Sequence, residues 1–169
     1  MIHTVSASVD VDAPIATVYN QWTQFEDFPL FMSTIERIDQ LTDVKMRWVV
    51  NLHGVRREFD ATIVDQVADD HISWESLDQE LHSGTVRFNP TPSGGTRVSL
   101  ELSWFPESFA ERVGAGLDFD DRAAAKDLAR FKGFIERHGH KTGAWRGEVH
   151  AAHSERPERG GPLEPDTDI

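Results

Sequence analysis

Between residues 34 and 105 the chain reads as a nearly unbroken series of short strand-like runs, and after Pro106 its apolar period changes from two to about 3.6. Few architectures accommodate that order. The runs cover 34–42, 45–53, 57–68, 71–78, 83–91 and 95–105. They are separated by Thr42-Asp43, His53-Gly54, Asp69-Asp70, His82-Ser83-Gly84 and Ser93-Gly94-Gly95, all turn chemistry. Connections this short join neighbouring antiparallel strands, so the segment predicts a meander. Two runs alternate clearly: Met46, Trp48, Val50 and Leu52 share one face, as do Val98, Leu100, Leu102 and Trp104. Arg97, Ser99, Glu101 and Ser103 then fall on the solvent side.

Before the meander, Val5, Ala7, Val9 and Val11 alternate with polar residues and predict a first strand over 3–11. Pro14 suits a helix start, where its missing N–H loses no intrahelical bond. Ile15, Val18, Tyr19 and Trp22 follow at helical spacing, predicting a short helix over 14–23. The aromatic run from Phe25 to Met32, broken by Pro29, predicts a second helical turn. After the meander, Phe109, Val113 and Leu117, then Leu128, Phe131 and Ile135, give an amphipathic helical stripe. Gly114-Ala115-Gly116 should divide it into a short piece near 107–114 and a long helix over 119–138. Segment 140–169 is rich in Gly, Pro, Glu and Arg without apolar period, and reads as a polar, disordered tail on a domain spanning 1–139.

The resulting layout is α+β: about seven antiparallel strands with helices segregated from them. One sheet face must be covered, and the C-terminal helix is the large amphipathic element available. A sheet curved around that helix leaves a cavity wherever the two do not touch.

Composition narrows the function classes. A net charge of −12 argues against nucleic acid, which needs clustered Lys and Arg, and against an anionic membrane surface. The absence of cysteine removes disulfides, thiolate nucleophiles and Cys-ligated zinc. Neither a secretory signal nor a run of eighteen apolar residues is present, so the chain reads as cytoplasmic.

The entry region carries a more specific signal. Val9-Asp10-Val11-Asp12-Ala13-Pro14 with Val18-Tyr19, then Phe25-Glu26-Asp27-Phe28-Pro29 and Phe31-Met32, resembles the polyketide cyclase/dehydrase and coenzyme-Q-binding START-like superfamily (SRPBCC). The resemblance extends in segment order over residues 3–138 and implies a helix-grip fold. It also implies a hydrophobic ligand held between sheet and long helix, without a cofactor. Candidate contacts would be Trp48, Val50, Phe59, Ile63, Trp74, Phe88, Leu100 and Trp104 from the sheet. Phe31 and Met32 would stand at the entrance, and Phe119, Leu128 and Phe131 would come from the helix.

Each of these residues also has a plainer role. Trp48, Trp74 and Trp104 either line an apolar pocket or fill the core of a curved sheet. His53 ends a strand at the expected cavity mouth and joins the ligand-binding candidates. His71 and His82 fall in turns and should be solvated. His138, His140, His150 and His153 lie at a helix end or in the tail, where zinc ligands are not held rigidly, so no metal site is expected. Asp118, Asp120 and Asp121 lack calcium-loop spacing and suit a helix N-terminus. Polar groups for catalysis are limited to His53, Arg57, Glu75 and Arg87, and a one-residue slip would turn any of them to the opposite face.

Three functions fit this sequence. The first is binding or transport of a quinone, polyketide-like compound or lipid in the cavity, with Gly114 and Gly116 as a gate. The second is a polyketide aromatase/cyclase or dehydrase, which requires polar side chains converging deep inside. The third is a protein-interaction module using the acidic surface or tail.

Overall fold

The computed structural model describes residues 3–52, 54–77, 82–104 and 121–138. His53, Phe119, the expected piece over 107–114, the Gly114–Gly116 interruption and the segment 140–169 lie outside the described residues.

Seven strands form one antiparallel sheet: β1 (His3–Val11), β2 (Ile35–Gln40), β3 (Lys45–Leu52), β4 (Val55–Val67), β5 (His71–Ser76), β6 (His82–Pro90) and β7 (Thr96–Trp104). Their spatial order is β1-β7-β6-β5-β4-β3-β2. The meander β2–β7 is therefore closed by β1, which pairs β7 from His3↔Trp104 to Val11↔Thr96. Helix α1 (Ile15–Trp22) and a 3₁₀ helix, η1 (Phe25–Leu30), carry the chain from one sheet edge to the other. The long helix α2 (Asp121–His138) completes the helix-grip arrangement.

The strands form where alternation predicts, and their burial follows it. In β7, Thr96, Val98, Leu100, Leu102 and Trp104 are buried while Arg97 and Glu101 are exposed. Pro14 occupies the cap position of α1 in extended conformation, one residue before the first helical turn, and no side chain caps that end. Pro29 lies inside η1, whose tighter bonding over six residues tolerates the missing N–H better than a long α-helix would.

At each sheet edge, carboxylates meet individual backbone N–H groups. Along β1, Asp121 accepts the Ser6 backbone N–H at 2.9 Å and Glu136 accepts that of Asp12 at 2.9 Å, so α2 runs parallel to the edge strand. At the far edge, Glu26 accepts the Gln40 N–H of β2 at 3.0 Å. Unpaired edge N–H groups invite pairing with other chains, and negative charge set on them blocks it.

Candidate functional site

The space between sheet and helices is filled from both sides by aromatic rings. Trp22 of α1 lies 5.1 Å from Phe131 of α2, 5.4 Å from Phe31 and 6.5 Å from Phe88 of β6. From η1, Phe25 and Phe28 reach Trp74 at 5.8 and 6.2 Å, and Phe28 reaches Trp48 at 6.2 Å. Most of these contacts are edge-to-face or tilted, the geometry that aromatic quadrupoles favour. The sheet candidates Trp48, Trp74, Trp104, Phe88 and Phe59 are all buried, as are Phe31 and Phe131.

On the sheet side sits His82, a residue the sequence reading assigns to a solvated turn. It is instead the first residue of β6 and 1% exposed. The indole of Trp104 stacks on it at 3.9 Å, and Trp48 and Phe59 lie 5.3 and 6.1 Å away. Both ring nitrogens are engaged. Trp74 donates its Nε1–H to His82 Nε2 at 3.0 Å, and His82 Nδ1 lies 3.0 Å from the Ser103 carbonyl. An indole N–H can only donate and a carbonyl can only accept, so these partners fix the neutral Nδ1–H tautomer. Burial pulls the imidazole pKa down to about 3, against a smaller upward push from the Ser103 carbonyl. His71 also departs from the turn reading: it opens β5, largely shielded, between Asp65 at 3.1 Å and Asp70 at 3.2 Å.

A second polar group enters through an irregularity. Phe59, Ala61 and Ile63 of β4 point inward, but a register shift between Ile63 and Asp65 reverses the parity, and Gln66 becomes the buried residue. A bulge of this kind re-aims the side chains beyond it. Gln66 Nε2 donates to the Tyr19 hydroxyl at 2.8 Å, and the Tyr19 ring meets Phe88 at 5.5 Å. Simple alternation gives no signal for this pair.

Of the polar candidates, Glu75 and Arg87 stand on the outer face. Arg87 lines a shallow groove of about 440 Å³ there with Ser6, Ser8, Thr85, Ser99 and Glu101. Arg57 has the same alternation as Phe59 and is half-buried near the β3–β4 hairpin. Among the described residues, no group of three or more His, Asp or Glu side chains could hold a metal ion.

Among the described residues, the most deeply buried acidic group is Asp127, which the sequence shows only as the end of the acidic run from Glu111 that lacks calcium-loop spacing. Asp127 lies on the buried stripe of α2, three residues after Ala124 and four before Phe131, and is 1% exposed. Its Oδ1 accepts from Ser33 N at 3.3 Å, Ser33 Oγ at 3.1 Å and Arg130 at 2.9 Å. Burial raises its pKa, and the Ser33 hydrogen bonds and Arg130 charge lower it by less. The available signal was its spacing, because an acidic residue centred in an apolar stripe needs a reason.

A few buried polar atoms find no partner among the described residues: Trp22 Nε1, Trp48 Nε1, Thr34 Oγ1, Gln66 Oε1 and Asp127 Oδ2. Buried donors and acceptors are ordinarily satisfied, so these atoms are exceptions in an otherwise aromatic interior.

A family model for polyketide cyclase / dehydrase and lipid transport matches residues 11–131. The chain belongs to this family. The match spans the whole aromatic interior from β1 to Phe131, including His82 and Asp127. Another relative is an uncharacterized 17.2 kDa protein in the melC2-rnhH intergenic region of Streptomyces lincolnensis, 45% identical over 86% of this chain and 97% of its own. Among solved structures, DR_A0006 from Deinococcus radiodurans is 25% identical with a TM-score of 0.66, over 80% of this chain and 98% of that one. The Zhui aromatase/cyclase from Streptomyces sp. R1128 is similar in fold, with a TM-score of 0.63 at 16% identity, over 86% of this chain and 100% of that one. Among the described residues of this family member, no helix is long and apolar enough to cross a membrane.

Proposed function

We propose that this family member binds a hydrophobic, acceptor-bearing small molecule, such as a quinone, a polyketide-like aromatic or a lipid carbonyl compound, between the sheet and α2. The observation that carries this reading is the pair of buried, unpartnered indole N–H groups of Trp22 and Trp48 inside an otherwise aromatic interior. A ligand carbonyl would satisfy such a donor, and its apolar body would leave water at roughly 25 cal/mol per Å². Ring-on-ring contacts with Trp48, Trp74, Phe28 or Phe88 would set its plane. Entry requires the rings to part, which is a displacement of side chains against α2.

His82 favours binding over catalysis. With both nitrogens occupied and a pKa of about 3, it is neither an acid nor an effective base at neutral pH. The aromatase/cyclase reading draws support from Asp127, a buried carboxylate with raised pKa, the kind of group that general acid–base chemistry uses.

Native mass spectrometry of the purified protein, followed by organic extraction, tests the proposal. A co-purifying aromatic or acyl compound, with tryptophan quenching on re-addition, is the expected result. An empty protein whose fluorescence ignores quinones, fatty acids and polyphenols would remove it. Conversion of a poly-β-ketone surrogate to an aromatic product, lost in Asp127→Asn, would move the protein to the enzyme class.

A further inference from the structure

We infer that Asp127 is the polar anchor of the interior site and selects ligands that carry a hydroxyl or phenol group as hydrogen-bond donor. The inference rests on the binding reading above and adds the chemical class of the ligand's polar end.

Three observations support it. First, Asp127 sits where the helix stripe calls for an apolar residue, between Ala124 and Phe131, both fully buried. A carboxylate there carries a desolvation cost that Leu would not. Second, its hydrogen bonds are one-sided. Ser33 and Arg130 all converge on Oδ1, while Oδ2 is buried without a partner among the described residues. The Ser33 backbone and hydroxyl bonds fix the carboxylate, so the unpartnered oxygen is held in place, not merely left over. Third, unpartnered groups on the adjoining elements complement it. Thr34, with a buried and unpartnered hydroxyl, directly follows Ser33. Trp22, with its unpartnered indole N–H, packs on Phe131, one turn along α2 from Asp127. The elements bearing these groups meet at the Phe31–Phe131 contact, 5.1 Å between rings.

A hydroxyl group both donates and accepts. It can give its proton to Asp127 Oδ2 and receive a hydrogen bond from Trp22 or Thr34. A methyl ether on the same scaffold keeps the acceptor and loses the donor, and substitution of Asp127 then separates its role from that of Gln66 Oε1, the other buried acceptor without a partner among the described residues. Hydrogen bonds to a charged group are the stronger class, so the discrimination should be large.

The test compares 2-naphthol with 2-methoxynaphthalene by tryptophan quenching and calorimetry. The wild-type chain should bind 2-naphthol about tenfold tighter. In Asp127→Asn, Ser33 retains the amide oxygen and turns the NH₂ inward, so the preference should vanish or reverse. Ser33→Ala leaves Oδ2 in place, and its preference for 2-naphthol should persist even where both affinities fall. Equal wild-type affinities would overturn the anchor while leaving the binding reading intact. Failure of both compounds to bind at millimolar concentration would also overturn it, and the binding reading would then be decided separately by the co-purification experiment. If Asp127→Asn does not fold, Asp127→Leu, which suits the apolar stripe, should likewise lose the preference, and a preference that survives it overturns the anchor.

Discussion

The indole of Trp74 lies across the bare backbone of Gly84, its cross-strand partner, so closely that a Cβ at Gly84 would fall 2.3 Å from Trp74 Cζ2. That approach lets Trp74 Nε1 reach His82, two residues back along β6. Gly84→Ala should therefore destabilise the fold by about 1–3 kcal/mol, the range for overpacking a filled core. Urea denaturation should show a lower midpoint with an unchanged slope, together with altered near-ultraviolet dichroism from the displaced indole.

Acid should weaken the fold through His82. Its pKa is about 3 when folded and near 6.5 when free. Between those values the unfolded chain binds the extra proton. Stability is thus fully present above pH 6.5 and is lost as pH falls towards 3, at up to about 1.4 kcal/mol per pH unit. His82→Gln, compared with wild type by chemical denaturation between pH 4.5 and 7.5, should flatten that dependence. Asp127 acts with opposite sign: burial raises its pKa above the ordinary carboxyl value of 3.8, so the folded chain holds the proton more tightly there and stability from this group falls as pH rises through that range.

Trp48→Phe removes a buried indole N–H that has no partner among the described residues, while keeping an aromatic ring. Stability of the empty protein should change by less than about 1.5 kcal/mol, because lost ring contacts and the removed unsatisfied donor oppose each other. Affinity for a quinone probe should fall about two- to tenfold, the value of one hydrogen bond. Calorimetry alongside thermal melts separates the two effects.

The carboxylates on the edge of β1 should act locally. Glu136→Ala should speed amide exchange at Asp12 several-fold, and Asp121→Ala should do the same at Ser6, each leaving the other site unchanged. Exchange monitored by NMR checks both. Equal acceleration along the whole of β1 would instead mean that α2 detaches as a unit.

Sequence alone determined the element order, the α+β layout of a sheet around a C-terminal helix and the inward face of most strands. Those properties follow from local period: alternation in β3 and β7 and the 3.6 repeat of Leu128, Phe131 and Ile135 are written residue by residue. Tertiary structure decided the polar interior. His82 looked like turn chemistry because Ser83 and Gly84 follow it, yet Gly84 is a strand residue whose missing side chain makes room for Trp74. Gln66 turned inward only because β4 bulges after Ile63, a change of parity that depends on pairing with β5. Asp127 found its Ser33 partners 94 positions away. Periodicity tells which side of an element faces the core, but the partner that satisfies a buried polar atom is chosen by how distant elements dock, and that information exists only once the sheet has closed on the helix.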